Sequence, residues 1–353
     1  LLDGTLGAQN YQVGANANEV ITSSGSNFQT SVYGNNRVYT QSTVGATPAF
    51  GATGALTVSG RYGSSTNITL AATDTAKSAA AKINAETGKT GVTASAKTEA
   101  VMTAVANTSY SLDVTSNNAT AITVSFTIGA AQDADGYAGA VNAINAASAK
   151  TGVVAEYSAS LGGIKLTNAS GENINLAATT GSATTATLGN ISYASATDAA
   201  TAATGTAIGT GGMGVVGTVT LDSQASFSVS GAAATTGVGG NFDVTSSQLK
   251  SVANLDLTTF DKAQLAIAVC DAAINVINSE KARFGALQSR FESTIANLQV
   301  NSENSSNARS RIRDADYAQE TAELSRASIL QQAGTAMLAQ ANQLPQTVLS
   351  LIR

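Results

Sequence analysis

Residues 327–352 carry no charged side chain. Few folds accommodate such a run, because something must cover it. A membrane-spanning helix needs about 20 mostly apolar residues. This stretch holds Gln331, Gln332, Gln340, Asn342, Gln343, Pro345 and Gln346, too much polarity for hydrocarbon. A partner helix fits better. Leu330, Met337, Ala341, Leu344, Val348 and Leu351 follow one another at spacings of seven, four, three, four and three. That is the a/d seam of a coiled coil. Ala333, Ala336 and Ala339 beside it allow close helix approach. Gln and Asn bond sideways to neighbours without the cost of burying charge. These six seam residues are the expected packing positions of the tail. Pro345 removes one backbone hydrogen bond and is expected to kink or loosen the last turns.

A second helical pattern precedes the tail. Ile267, Cys270, Ile274, Ile277, Lys281, Phe284, Leu287, Phe291, Ile295 and Leu298 step by threes and fours. The spacing predicts one amphipathic helix over 259–300, with Ile274, Ile277, Phe284, Leu287, Phe291, Ile295 and Leu298 as its apolar seam. "NSENSSNARS" (301–310) reads as a polar joint able to cap the next helix.

Ahead of these helices the chain changes character. Residues 251–353 contain 19 of the 41 charged side chains, leaving 22 for the first 250. The earlier region is rich in Ala, Thr, Ser and Gly, the composition of short strands and turns. A boundary is expected near 244–251. Inside this region "INAETGKTGVTA" (83–94) recurs as "INAASAKTGVVA" (144–155), 61 residues on and identical at eight of twelve positions. Each copy follows a strand-like run ("ALTVSGR", "ITVSFTIG") and an Ala-rich helical run. "KTG" should end each helix, with Gly91 or Gly152 at the stop. "GIKLTNASGENINL" (163–176) reads as two strands joined by a hairpin turn at "ASGE". Residues 217–231 alternate well enough for one or two strands, whereas 177–217 give no clear pattern. Near the start, Tyr11, Val13, Ala15 and Ala17 alternate as one face of a strand. The expected fold class is α+β and multidomain, with long coiled-coil-like helices toward the carboxyl end and β-rich domains holding two strand-helix-strand-strand modules.

Composition limits the chemistry. The chain has no histidine, so a Ser-His-Asp triad, a Cys-His pair and a His-bearing zinc site are excluded. One cysteine, Cys270, allows no internal disulfide. On the helical seam it reads as a small buried hydrophobe. A net charge of −5 argues against a nucleic-acid binder. "DADG" (133–136) lacks the further oxygen ligands of a calcium loop. "TGGMGVVG" (210–217) lacks the strand-to-helix context and the Lys-Ser/Thr of a phosphate loop, and reads as flexible loop. Asp314 and Asp316 beside Arg309, Arg311 and Arg313 suit either an ion-pair set between chains or a solvated helix start. No pair of carboxylates suggests catalysis, and no cofactor or metal is implied. A surface-glycan or host-ligand reading has some motive in the hydroxyl-rich surface, with Tyr62, Tyr110, Tyr137 and Tyr157 as stacking residues.

Three segments together resemble bacterial flagellin. "ARSRIRDADYAQETAELSRASILQQAGTAMLAQANQLPQTVLSLIR" (308–353) resembles its carboxyl-terminal segment. "INSEKARFGALQSRFESTIANL" (277–298) resembles the long helix before it, and "LLDGTLGAQNYQVGANANE" (1–19) the strand segment after its amino-terminal helices. The duplicated module is similar to inserts of flagellin variable regions. The resemblance implies a non-enzymatic subunit of the flagellar filament, secreted and extracellular. Its partners would be other flagellin subunits and, before export, a flagellin chaperone. Residues 301–353 would form the core helix, and 1–30 with 248–300 the surrounding rod layer. Residues 31–118 would form an outer domain with the first module, and 119–247 one with the second module and return strands. Flagellins carry a long helical region ahead of the segment that "LLDGT" resembles. The sequence starts at Leu1 without it, so a fragment or processed chain is expected.

Overall fold

The computed structural model describes residues 3–14, 18–51, 53–231, 242–314 and 316–351. The chain forms two compact units: Leu1–Thr5 with Ser26–Glu280, and Leu6–Gly25 with Lys281–Arg353.

The second unit contains the first hairpin. Strands β1 (Ala8–Gln12) and β2 (Val20–Ser24) pair antiparallel from Ala8↔Ser24 to Gln12↔Val20. Tyr11 lies in β1 as the alternation implies; Ala15 and Ala17 fall outside the described residues.

In the first unit, β3 (Gly34–Tyr39) and β4 (Thr43–Gly45) lead into the first module. That module runs through β5 (Gly54–Gly60), β6 (Gly63–Ser64), β7 (Ile68–Leu70), α1 (Ala76–Asn84), α2 (Thr87–Thr90), β8 (Thr93–Thr103) and β9 (Ser109–Thr115). The second runs through β10 (Ile122–Thr127), α3 (Ala134–Ala146), α4 (Ser148–Thr151), β11 (Val153–Ser158), β12 (Gly163–Asn168) and β13 (Ile174–Ala178). Return strands follow: β14 (Thr187–Tyr193), β15 (Ala200–Ala202), β16 (Thr206–Ala207), β17 (Met213–Val216), β18 (Thr218–Ser223), β19 (Ser228–Ser230) and β20 (Gln248–Ser251).

The repeat seen in the sequence is a repeat of bonds. Asn84 brackets Ala94, donating to its carbonyl and accepting from its amide, both at 2.7 Å. Asn145 does the same to Ala155, at 2.8 and 2.7 Å. Thr90 and Thr151 donate back to the carbonyls of Glu86 and Ala147 and accept the amides of Val92 and Val153. Ala79 and Ile83 are buried in α1, and Ala140 and Ile144 in α3. Gly91 and Gly152 end the short helices at φ 72° and 73°, the left-handed conformation that glycine adopts without steric cost. A Cβ on Gly91 would also approach the Tyr62 ring to 2.9 Å.

Sheet pairing departs from one local expectation. β12 and β13 are joined by "ASGE" but do not pair with each other. β12 pairs β11 and β8, whereas β13 pairs β9 and β17. Asn168 turns the chain instead. Its Oδ1 accepts the Ser170 amide at 2.8 Å, and its Nδ2 donates to Ser116 Oγ and Asn117 Oδ1. A turn that crosses between sheets carries the same Gly and Ser signals as one that closes a hairpin. The segment without a clear pattern supplies β14, β15 and β16. "TGGMGVVG" is a turn into strand β17, with Gly212 donating to the Gly209 carbonyl at 3.1 Å. Residues 217–231 hold β18 and β19, as their alternation implies.

The long strand β8 pairs β18 along its first half, and β12 and β14 along its second. A five-stranded sheet, β10-β9-β13-β17-β4, lies apart from it. One core gathers Tyr110, Leu112, Tyr137, Ile144, Leu166 and Leu176 around the second module. The other gathers Phe50, Leu56, Ile83, Val92, Leu221 and Phe242 around the first.

Candidate assembly surfaces

Helix α5 runs from Phe260 to Arg313 and α6 from Tyr317 to Leu351. The expected joint at 301–310 is helical and lies inside α5. Helix α5 ends at Arg313, and α6 begins at Tyr317. There Asp316 accepts the amides of Ala318 and Gln319 at 3.1 and 3.3 Å, capping α6. Aspartate favours this cap because its short side chain bonds the free amides of a helix start. Asp314 accepts from Ser310 Oγ at 2.6 Å. In the same way Asp133 of "DADG" accepts the Gly136 amide at 2.9 Å and starts α3.

Within the first unit, α5 buries Ala266, Val269, Ala272 and Ala273. The larger side chains Ile267, Ile274 and Ile277 face outward, with Ile274 56 % exposed. Cys270 is exposed too, contrary to the expectation of burial. Spacing alone picks out the bulky residues as the packed face. The chain packs its small residues instead, since these let helix and sheet backbones approach closely. A run of Ala on one helical stripe was the available signal.

Within the second unit, α5 carries the hairpin. The Tyr11 and Phe291 rings meet edge to face at 5.4 Å. Arg283 donates to the Ser24 hydroxyl and carbonyl at 2.7 and 3.0 Å. Leu287 and Phe291 are half-buried, while Phe284, Ile295 and Leu298 stay exposed. Every residue of α6 whose side chain is described is exposed. Leu330, Met337, Ala341, Leu344 and Val348 therefore lie open, Leu344 at 61 %. Leu351 closes α6, its side chain outside the described residues. The helix continues through Pro345. No helix among the described residues is long and apolar enough to cross a membrane.

The four tyrosines considered for sugar stacking separate sharply. Tyr110 and Tyr137 are core residues. Tyr157 stacks on Tyr137 at 5.7 Å, and Tyr62 alone of the four is largely exposed.

Residues 267–352 match the bacterial flagellin C-terminal helical region, and residues 55–118 match the flagellin hook IN motif. B-type flagellin of Pseudomonas aeruginosa is 46% identical over 216 residues, which are 60% of this chain and 43% of that protein. Both matched regions and this relative support a bacterial flagellin. Flagellin of Bacillus subtilis is 48% identical over 114 residues, covering 30% of the chain and 38% of the relative. Flagellin B of Vibrio cholerae is 42% identical over 116 residues, covering 33% and 31%. The chain thus spans less than half the length of these relatives. In flagellin terms, the matched C-terminal region takes in α6 and all but the first two turns of α5. The hook IN match coincides with the first module, from β5 to just past β9.

Proposed function

We propose that this chain is the outer and carboxyl-terminal part of a structural, non-enzymatic subunit of the bacterial flagellar filament. The observation that carries the reading is the open apolar seam of α6. A Leu-sized side chain contributes ~1.5–3 kcal/mol on burial, so a row of them is a strong drive toward a partner. The uncharged flanks beside the seam permit burial on several sides at once. In this reading 301–353 form the inner helical layer, and 1–30 with 248–300 the rod around it. Residues 31–118 and 119–247 form outer domains facing the medium. The α6 seam would face an amino-terminal helix of its own subunit, and its flanks neighbouring copies. The exposed side of α5, with Ile267, Ile274 and Ile277, would be covered in the same way. Before secretion the tail would be shielded by an export chaperone.

The test uses a flagellin that carries this chain together with its amino-terminal helices. Leu344→Asp with Val348→Asp should abolish polymerisation, seen by electron microscopy, and leave the outer domains folded by circular dichroism. Normal filaments from that variant would refute the proposal.

A further inference from the structure

We propose that the start of α5 is held to its sheet by an ionic clasp, Asp261 between Lys97 and Lys165, and that this turn releases as a unit when the clasp is broken. Asp261 sits in the first turn of α5. Its two carboxylate oxygens accept from Lys97 Nζ at 3.2 Å and Lys165 Nζ at 3.1 Å. The two lysines come from neighbouring strands, β8 and β12. Both also face Oε1 of buried Glu99, at 2.9 and 3.0 Å. Tyr193 donates to the other oxygen of Glu99, and Lys97 lies over the Tyr193 ring at 5.4 Å. Glu156 reaches Lys165 at 3.6 Å from the exposed side.

Packing does little of this holding. No described residue of α5 ahead of Ala266 is buried, and Phe260 is 77 % exposed. An open cleft of about 390 Å3 adjoins the turn, lined by Phe260, Asp261 and Leu265 with Tyr39, Lys97 and Tyr193. Charge therefore fixes the turn in place. A partly buried ion pair adds little net stability against apolar packing, but it specifies orientation, and removing one partner leaves a charge unpaired. The turn is also braced internally. Thr259 Oγ1 accepts the Lys262 amide at 3.3 Å, and Lys262 Nζ reaches Asp256 at 2.5 Å. A segment braced within and clasped at one point opens cooperatively rather than by fraying.

Amide hydrogen exchange on the whole chain tests this. In Asp261→Asn, the bonded amides of residues 262–266 should exchange about tenfold faster or more, while β8, β12 and residues 269–280 keep their protection. In the unaltered chain the same residues should lose protection as ionic strength approaches ~1 M, where charges are screened within a few ångströms. The variant should show a much weaker salt dependence, that of the remaining Lys262–Asp256 pair. Asp261→Glu, which keeps the charge, should restore most of the protection. Unchanged exchange in Asp261→Asn overturns the clasp. So does loss spread equally over β8 and β12, or a salt dependence as strong in the variant as in the unaltered chain.

Discussion

Tyr137 and Met337 both lie on helices of this chain, yet one is 0 % exposed and the other 71 %. Tyr137 is enclosed by its own module: it stacks on Tyr157, and its hydroxyl donates to the Ala104 carbonyl at 3.2 Å. Met337 has only its own helix. The β-rich unit closes its cores within one chain, so its helices can be short and end on glycine. Helix α6 leaves its apolar seam open at every described side chain. Helix formation in water leans on tertiary packing, so a long helix without a packed face gains its definition from what covers it. The same hydrophobic effect acts in both regions; what differs is that the described residues cover Tyr137 and leave Met337 open.

The comparison can be broken at several points, the largest effects first. Tyr137→Ala should destabilise the β-rich unit by about 3–5 kcal/mol, as large-to-small changes in a packed core do. Thermal unfolding of the whole chain measures it, and a loss below half that size would mean the second module is not tightly closed. Asn145→Ala should cost roughly 1–3 kcal/mol, since it strands the amide and carbonyl of buried Ala155, and Asn84→Ala should cost less, because water can replace its exposed bonds to Ala94. Thermal unfolding of the two variants measures both, and an equal loss would show that burial does not set the worth of the repeated bonds.

Acidity gives a smaller effect. Burial pushes the Asp261 carboxyl up, but Lys97 and Lys165 outweigh it and hold its pKa below 3.8. Asp74 is held down likewise by Lys82 against its own burial. A carboxyl lowered by folding stabilises the fold above its ordinary pKa, and that stability is lost as pH falls through the folded value. Melting temperature should therefore be level from neutral pH down to the ordinary aspartate value and fall below it. At the other end, burial lowers the Lys165 pKa, but Glu99 and Asp261 together raise it above 10.5. Its contribution is complete below that value and fades as pH rises through the folded one. A melting curve that declines first between pH 5 and 9 would contradict both assignments. Smallest of all, Met337→Ala should change the unfolding of the lone chain by less than about 0.5 kcal/mol, as exposed substitutions do. A larger change would mean that the tail already packs on its own chain.

Both long helices, the glycine stops and the duplicated module were legible in the sequence, because each is a local pattern. Period-three-and-four spacing, the left-handed need at Gly91 and Gly152, and identical residues 61 apart are set by neighbours along the chain. Features set by distant parts of the chain were not legible. "ASGE" closes no hairpin, because the choice between pairing back and crossing to another sheet depends on strands far away in sequence. Helix α5 hides alanines and shows isoleucines, because the face that packs is decided by how closely a sheet approaches. The Asp261, Lys97 and Lys165 cluster draws on residues up to 164 apart, and no spacing rule joins them. Local geometry follows from the order of residues. Which surfaces meet follows only once the chain is folded, since burial is a property of three-dimensional neighbours.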